Sequence, residues 1–253
     1  MIGRLLGRLI GRPERTGIPE SLWQETIAAL PFIARLAPAE LARLRELTGD
    51  FLASKEFTTV GELELDDGIC LTIAVQACLP ILNLGLEWYD DWVGIVVYPD
   101  EFVIPRSIQD EDGIVHEYDE LASGEAWGGG PVLVSWRDVR MAGDGYNVVI
   151  HEFVHKLDMR NGDADGIPPL PSRAAKQHWE DVLLAAYDDF CAEVDAAEAR
   201  DEDTEIDPYA AEIPGEFFAV LAEAFFETPA LVARRFPALY EQFASFFHFD
   251  PLA

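Results

Sequence analysis

The chain has 253 residues, 49% of them apolar, and sets 47 acidic side chains against 18 basic ones for a formal net charge of −29. That length and apolar content support a sizeable core, while so negative a body repels nucleic acid and anionic membrane surfaces. No stretch reaches the ~20 uncharged apolar residues of a membrane-spanning helix, which argues against integral membrane association.

The first twelve residues place Arg4, Arg8 and Arg12 between short apolar runs. An arginine at every fourth position interrupts the apolar region of a secretory signal. Residues 1–19 are therefore expected to be a basic, poorly ordered terminal segment. Residues 20–253 are expected to form a single unit, with an N-terminal portion over about 20–90 and a catalytic portion over about 91–253. Cys70, Cys78 and Cys191 are odd in number and widely spaced. They make neither a disulfide framework nor a paired metal knuckle, and are expected to be reduced, mostly buried thiols of a cytoplasmic protein.

In chain order, residues 21–57 read as two or three short helices, with Ser21 as a cap and Leu41, Leu44 and Leu47 at helical spacing. The apolar run 70–86 has Gln76 as its one large polar side chain before Asn83. Its first half reads as helix, ended by Pro80. Val93 to Tyr98 is rich in β-branched residues and stopped by Pro99, which predicts a strand. Residues 130–136 predict a second strand, expected at the open edge of the sheet, where an extended peptide can lie. Residues 109–130 between them are acidic and rich in turn formers, a loop or an irregular hairpin. Three prolines mark 158–172 as a loop. Helices are predicted over 173–199 and 214–227, separated by the acidic, solvated segment 200–207. The pattern is α+β, with a small mixed sheet and a mixed, largely helical N-terminal portion.

One motif carries chemistry. His151-Glu152-Phe153-Val154-His155 is HExxH. On a helix, positions i and i+4 share a face, so both imidazoles can bind one zinc ion, with Glu152 beside them to take a proton from water. The flanking Val148, Val149 and Ile150, with Phe153 and Val154 inside the motif, make the helix largely apolar. Its histidines would be partly buried and would need partners. An HExxHxxGxxH extension is absent, because Asp158 and Asn161 stand where the glycine and third histidine would be. The alternative is a carboxylate from the apolar helix 214–227. Glu216 and Glu223 lie seven residues apart on one face of it, and spacing alone does not choose between them.

The block from Gly145 through the motif to Met159, followed by Asn161 to Gly166, closely resembles the Mlc titration factor A family of bacterial zinc peptidases. Residues 74–80, 97–99, 130–136 and 216–220 match as well, and the likeness covers roughly residues 20–250. The resemblance implies a gluzincin-like, cytoplasmic, aminopeptidase-type enzyme whose active site is similar to that of lethal-factor-type peptidases. It implies Glu216 as third zinc ligand and Tyr209, seven residues earlier, as a group assisting at the substrate carbonyl. Glu223 would then orient a ligand histidine. Some enteric members also bind the glucose repressor Mlc, so the resemblance carries an alternative: a regulatory protein that sequesters a transcription repressor. The expectation is a zinc peptidase with His151, His155 and Glu216 on the metal, Glu152 as general base and then acid, Tyr209 at the oxyanion, and a peptide as substrate.

Overall fold

The computed structural model describes residues 17–109, 113 and 115–253. Residues 1–16 of the expected basic segment lie outside the described residues. Helices α1 (Glu20–Ala28), α2 (Pro31–Ala34) and α3 (Pro38–Ser54) open the chain. Helix α1 starts two residues earlier than the Ser21 cap would require: Pro19 holds the N-cap position, so Ser21 sits inside the first turn and caps nothing. In α3, Pro38 supplies a preset φ at the first position, and Glu40 accepts from the Ala37 N–H at 2.9 Å. Strand β1 (Glu56–Thr59) follows, then α4 (Asp67–Cys78), capped by Asp66 and buried from Ile69 to Cys78 except at Thr72.

The sheet comes next in sequence. Strands β2 (Gly94–Tyr98), β3 (Phe102–Gln109), β4 (Val115–Ala122), β5 (Gly124–Ala126) and β6 (Val132–Ser135) lead into the short α5 (Trp136–Val139). Four strands form one mixed sheet in the order β1-β2-β6-β5, with β1, β2 and β6 parallel and β5 antiparallel to β6. This corrects the expectation that residues 130–136 form an edge. Strand β6 is internal, flanked by β2 and β5, and the edges are β1 and β5. The reason is local: the chain reverses through a turn in which Gly130 N–H donates to Trp127 O at 2.9 Å, laying the three residues of β5 back along β6. Of the two readings of residues 109–130, a loop or an irregular hairpin, the hairpin is the nearer. Strands β3 and β4 pair as a long antiparallel hairpin, from Phe102 opposite Ala122 to Gln109 opposite Val115.

Helices α6 (Val148–Asp158), α7 (Arg173–Glu198), α8 (Pro214–Glu227), α9 (Pro229–Arg235) and α10 (Pro237–Phe247) complete the fold. Prediction and structure agree on α8 at both ends, where Pro214 opens the helix. One continuous cluster of buried apolar side chains extends from Ile18 to Phe247. At its centre α6 packs against α4, α8, β5 and β6. Phe217, Phe218, Phe225 and Phe226 of α8 are essentially inaccessible. Burial of such side chains contributes about 1.5–3 kcal/mol each, which offsets the cost of burying Glu223 and Glu227 on the same helix.

The architecture is α+β with a small mixed sheet. All three cysteines are free, Cys70 and Cys78 buried and Cys191 half-buried. No helix among the described residues is long and apolar enough to cross a membrane.

Candidate metal centre

Helix α6 begins where Asn147 accepts the Ile150 N–H on its side-chain oxygen at 2.9 Å. One turn later His151 and His155 project from the same face, with ring centroids 4.8 Å apart. Helix α8 crosses beside them and brings Glu216, in its first turn, to both imidazoles. Oε2 of Glu216 lies 2.9 Å from Nε2 of His151 and 3.3 Å from Nε2 of His155, and the two Nε2 atoms are 3.2 Å apart. Among the described residues this is the one cluster of three potential metal ligands. Glu223, two turns along α8, takes the opposite side of His151, with Oε1 2.8 Å from Nδ1. The two acids that spacing could not separate therefore occupy different places: Glu216 faces both histidines at their Nε2 atoms, and Glu223 touches one of them from behind.

The donor set fits a divalent metal. Ligands ~2.0–2.1 Å from a tetrahedral zinc ion stand about 3.3–3.4 Å from one another, close to the observed triangle. With its Nδ1–H donated to Glu223, His151 turns a lone pair at Nε2 toward Glu216 and His155. Three lone-pair atoms converging on one point repel unless positive charge lies among them. The same demand appears in the titration of His151. Burial lowers its pKa, but hydrogen bonds to Glu216 and Glu223 outweigh burial and raise it well above the usual imidazole range. Burial also raises the carboxyl of Glu216, and its bonds to His151 and His155 overcome this and hold it below the carboxylate range.

Glu152 is buried beside this cluster, where desolvation pushes its carboxyl up to about 8. Backbone from the edge strand lies directly on it: a Cβ at Gly124 would stand 2.5 Å from Oε1 of Glu152. Only glycine lets β5 approach so closely, and nothing in the local sequence marks Gly124 for that role. Tyr209 sits on a short 3-10 turn, Pro208–Ala211, with its ring 6.1 Å from that of His151. Its phenol is pushed up by burial and then by the nearby Glu216 carboxylate, so it keeps its proton. His155 is held less completely. Its Nδ1 is buried without a hydrogen-bond partner among the described residues, as is Oδ1 of Asp158, three residues later on α6.

Gly124, His151, Glu152, Tyr209 and Glu223 border a cleft of about 510 Å³. Gly124 and the end of β4 form one wall, His151 and Glu152 the floor, and Asp207 and Tyr209 the other wall. Further carboxylates, Glu120, Asp144 and Glu205, line it, with Arg106 as its one cation. Arg106 is already paired with Glu120 and, at 2.6 Å, with Glu125. The sequence-predicted residues His151, Glu152, His155, Tyr209, Glu216 and Glu223 are thus brought to one place.

Comparison with known proteins assigns the class. The chain belongs to the glucose-regulated metallo-peptidase M90 family, whose profile matches residues 9–248. Within it the chain is similar to proteins named Mlc titration factor A. That of Escherichia fergusonii is 42% identical over 233 residues, covering 91% of this chain and 86% of the relative. That of Klebsiella pneumoniae strain 342 is 40% identical over 242 residues, covering 94% and 90%. That of Salmonella arizonae is 42% identical over 233 residues, covering 91% of each. The family resemblance seen in the sequence is therefore correct.

Proposed function

We infer that the protein is a gluzincin-like, zinc-dependent peptidase of aminopeptidase type, with His151, His155 and Glu216 as metal ligands. The observation that carries this reading is the convergence of their Nε2, Nε2 and Oε2 atoms at 2.9–3.3 Å, with the Glu152 carboxylate buried alongside. Zinc bound there supplies Lewis acidity, lowering the pKa of water and polarising a carbonyl.

The protein's own groups supply the rest. Glu223 accepts the Nδ1–H of His151 and so fixes the tautomer that leaves Nε2 free to ligate. Glu152 takes a proton from the attacking water on a carboxylate oxygen and returns it to the leaving amine nitrogen. Burial disfavours the charged carboxylate and so strengthens Glu152 as a proton acceptor. Tyr209, protonated, donates from its phenol to the carbonyl oxygen as negative charge develops there. The open edge of β5 offers backbone N–H and C=O groups to an extended peptide. The surplus of carboxylates in the cleft favours a substrate presenting a free amino group.

The relatives' name, Mlc titration factor A, supports a second reading, in which the protein binds a transcription repressor and catalysis is secondary. In either case the reading includes a cytoplasmic location. One variant separates them. Glu152→Gln retains the ligands but cannot accept a proton, so it should keep its zinc and lose at least ~100-fold in turnover of amino-acid anilides. Normal turnover in that variant would exclude the catalytic role of Glu152. Wild-type protein that holds zinc, cleaves no peptide substrate and captures the repressor would favour the second reading.

A further inference from the structure

Asn147 is 1% exposed, and all of its polar groups are engaged. Its backbone N–H donates to Oε2 of Glu223. Its side-chain oxygen accepts from the Ile150 N–H at 2.9 Å, and its carbonyl accepts from the His151 N–H at 2.9 Å. The carboxamide nitrogen donates twice, to Oε1 of Gln76 and to Oε1 of Glu227, both at 2.8 Å. One residue thereby joins α4, α6 and α8.

Both carboxylates it reaches on α8 are anchored a second time. Glu223 holds His151 Nδ1 with its other oxygen, 2.8 Å away. The other oxygen of Glu227 accepts from Gly143 and Gly145 N–H, at 3.0 and 2.7 Å. Gly145 adopts φ +95°, a conformation in which glycine is nearly unstrained and which turns its N–H inward. The turn before α6 is thus clamped to the last two turns of α8, and Glu216 lies on the same helix.

Capping α6 requires only the side-chain oxygen, and a serine would serve about as well. The two carboxamide N–H bonds have another consequence. A one-residue slip of one helix along another is a displacement of about 1.5 Å, half the spacing of the ligand triangle and well beyond the ~0.5 Å tolerance of a preorganised site. The geometry points to Asn147 as a positioning residue: through Gln76, Glu223 and Glu227 it sets the register of α6 against α8 that brings Glu216 to His151 and His155. The inference rests on the reading of those three residues as metal ligands.

Zinc competition titrations, with thermal unfolding of the zinc-free proteins alongside, test it. Asn147→Ser keeps a cap but loses both carboxamide bonds, and its zinc affinity should fall ~10-fold. Asn147→Asp turns a carboxylate against Glu227 and should fall further, toward ~100-fold. The double variant Asn147→Asp with Glu227→Gln restores a donor–acceptor pair in reverse, and should recover most of that loss. A purely structural Asn147 would lower the unfolding temperature of Asn147→Ser and leave zinc affinity as in the wild type, which overturns the inference. So does a double variant that binds zinc no better than Asn147→Asp. If Asn147→Ser does not fold, Gln76→Leu removes one carboxamide bond from the α4 side. Weakened zinc binding in it supports the inference, and wild-type affinity overturns it. A wild-type protein that takes up no zinc overturns the metal reading itself, an outcome distinct from tight wild-type binding with unaffected variants.

Discussion

His155 and Lys156 are neighbours on α6, yet the buried charges around them are handled in opposite ways. On the lysine side, Lys55 and Lys156 both stand against the Trp92 ring, with Nζ 3.9 and 4.9 Å from its centroid. Lys55 donates to the carbonyls of Tyr89 and Trp92, and Lys156 to those of Trp127 and Gly130. Both ammonium groups are held by fixed carbonyl dipoles, and Lys156 ties the turn before β6 to α6. On the histidine side, the acceptors Glu152, Glu216 and Glu223 gather around two imidazoles, and three lone-pair atoms point at one another. Fixed dipoles around a charge build stability; acceptors aimed at a common point build a place for a cation. The comparison explains why two of the chain's only three lysines are buried without taking part in chemistry.

The contrast is sharpest in the two acids of α8. On the proposed reading Glu216→Ala removes a ligand, and it should weaken zinc binding by more than ~100-fold, with activity lost. Glu223→Ala removes only the group holding His151 and should cost ~10–100-fold. Competition titration of both variants checks the order, and the reverse order would exchange their roles. Next in size is Gly124→Ala, whose new methyl must displace Glu152. Turnover should drop ~10–100-fold with zinc content unchanged, since misplacing a reacting group by about 1 Å has effects of that size. Kinetics beside elemental analysis would show whether β5 positions the acid.

The smallest effect belongs to the lysine side. Lys55→Met leaves two buried carbonyls without their donor and should lower stability by about 1–3 kcal/mol at neutral pH, with zinc affinity unaltered. Burial pushes the Lys55 ammonium down to about 8, below the ~10.4 of an unfolded lysine. Between those values the folded chain holds fewer protons at this site than the unfolded chain. Wild-type stability should therefore rise relative to Lys55→Met as pH climbs from about 8 toward 10. Denaturant unfolding of both proteins across that range measures it, and a flat difference would show that Lys55 is not desolvated.

The metal helix and α8 were legible because their signals are local. HExxH fixes a face by helical geometry alone, and Pro214 marks the first turn of an otherwise apolar run. The choice of Glu216 over Glu223 was not local, since it depends on how α8 crosses α6, and the family resemblance supplied it. Strands β4 and β5 were legible only as a loop or an irregular hairpin, for physical reasons. Most of β4 is exposed, so its sequence lacks the alternation that a half-buried strand shows. Strand β5 has three residues, and β6 gives it its partner from across the turn. Gln76 and Glu227 did leave a trace, each a polar group on an apolar helix, but their meeting at Asn147 is purely tertiary.

The central claim is that His151, His155 and Glu216 hold one zinc ion. Elemental analysis of purified wild type, His151→Ala and His155→Ala tests it most directly. The wild type should carry one zinc per chain and each variant essentially none, because losing an imidazole dismantles a three-ligand site. A full complement of zinc in either variant, or none in the wild type, would contradict the account.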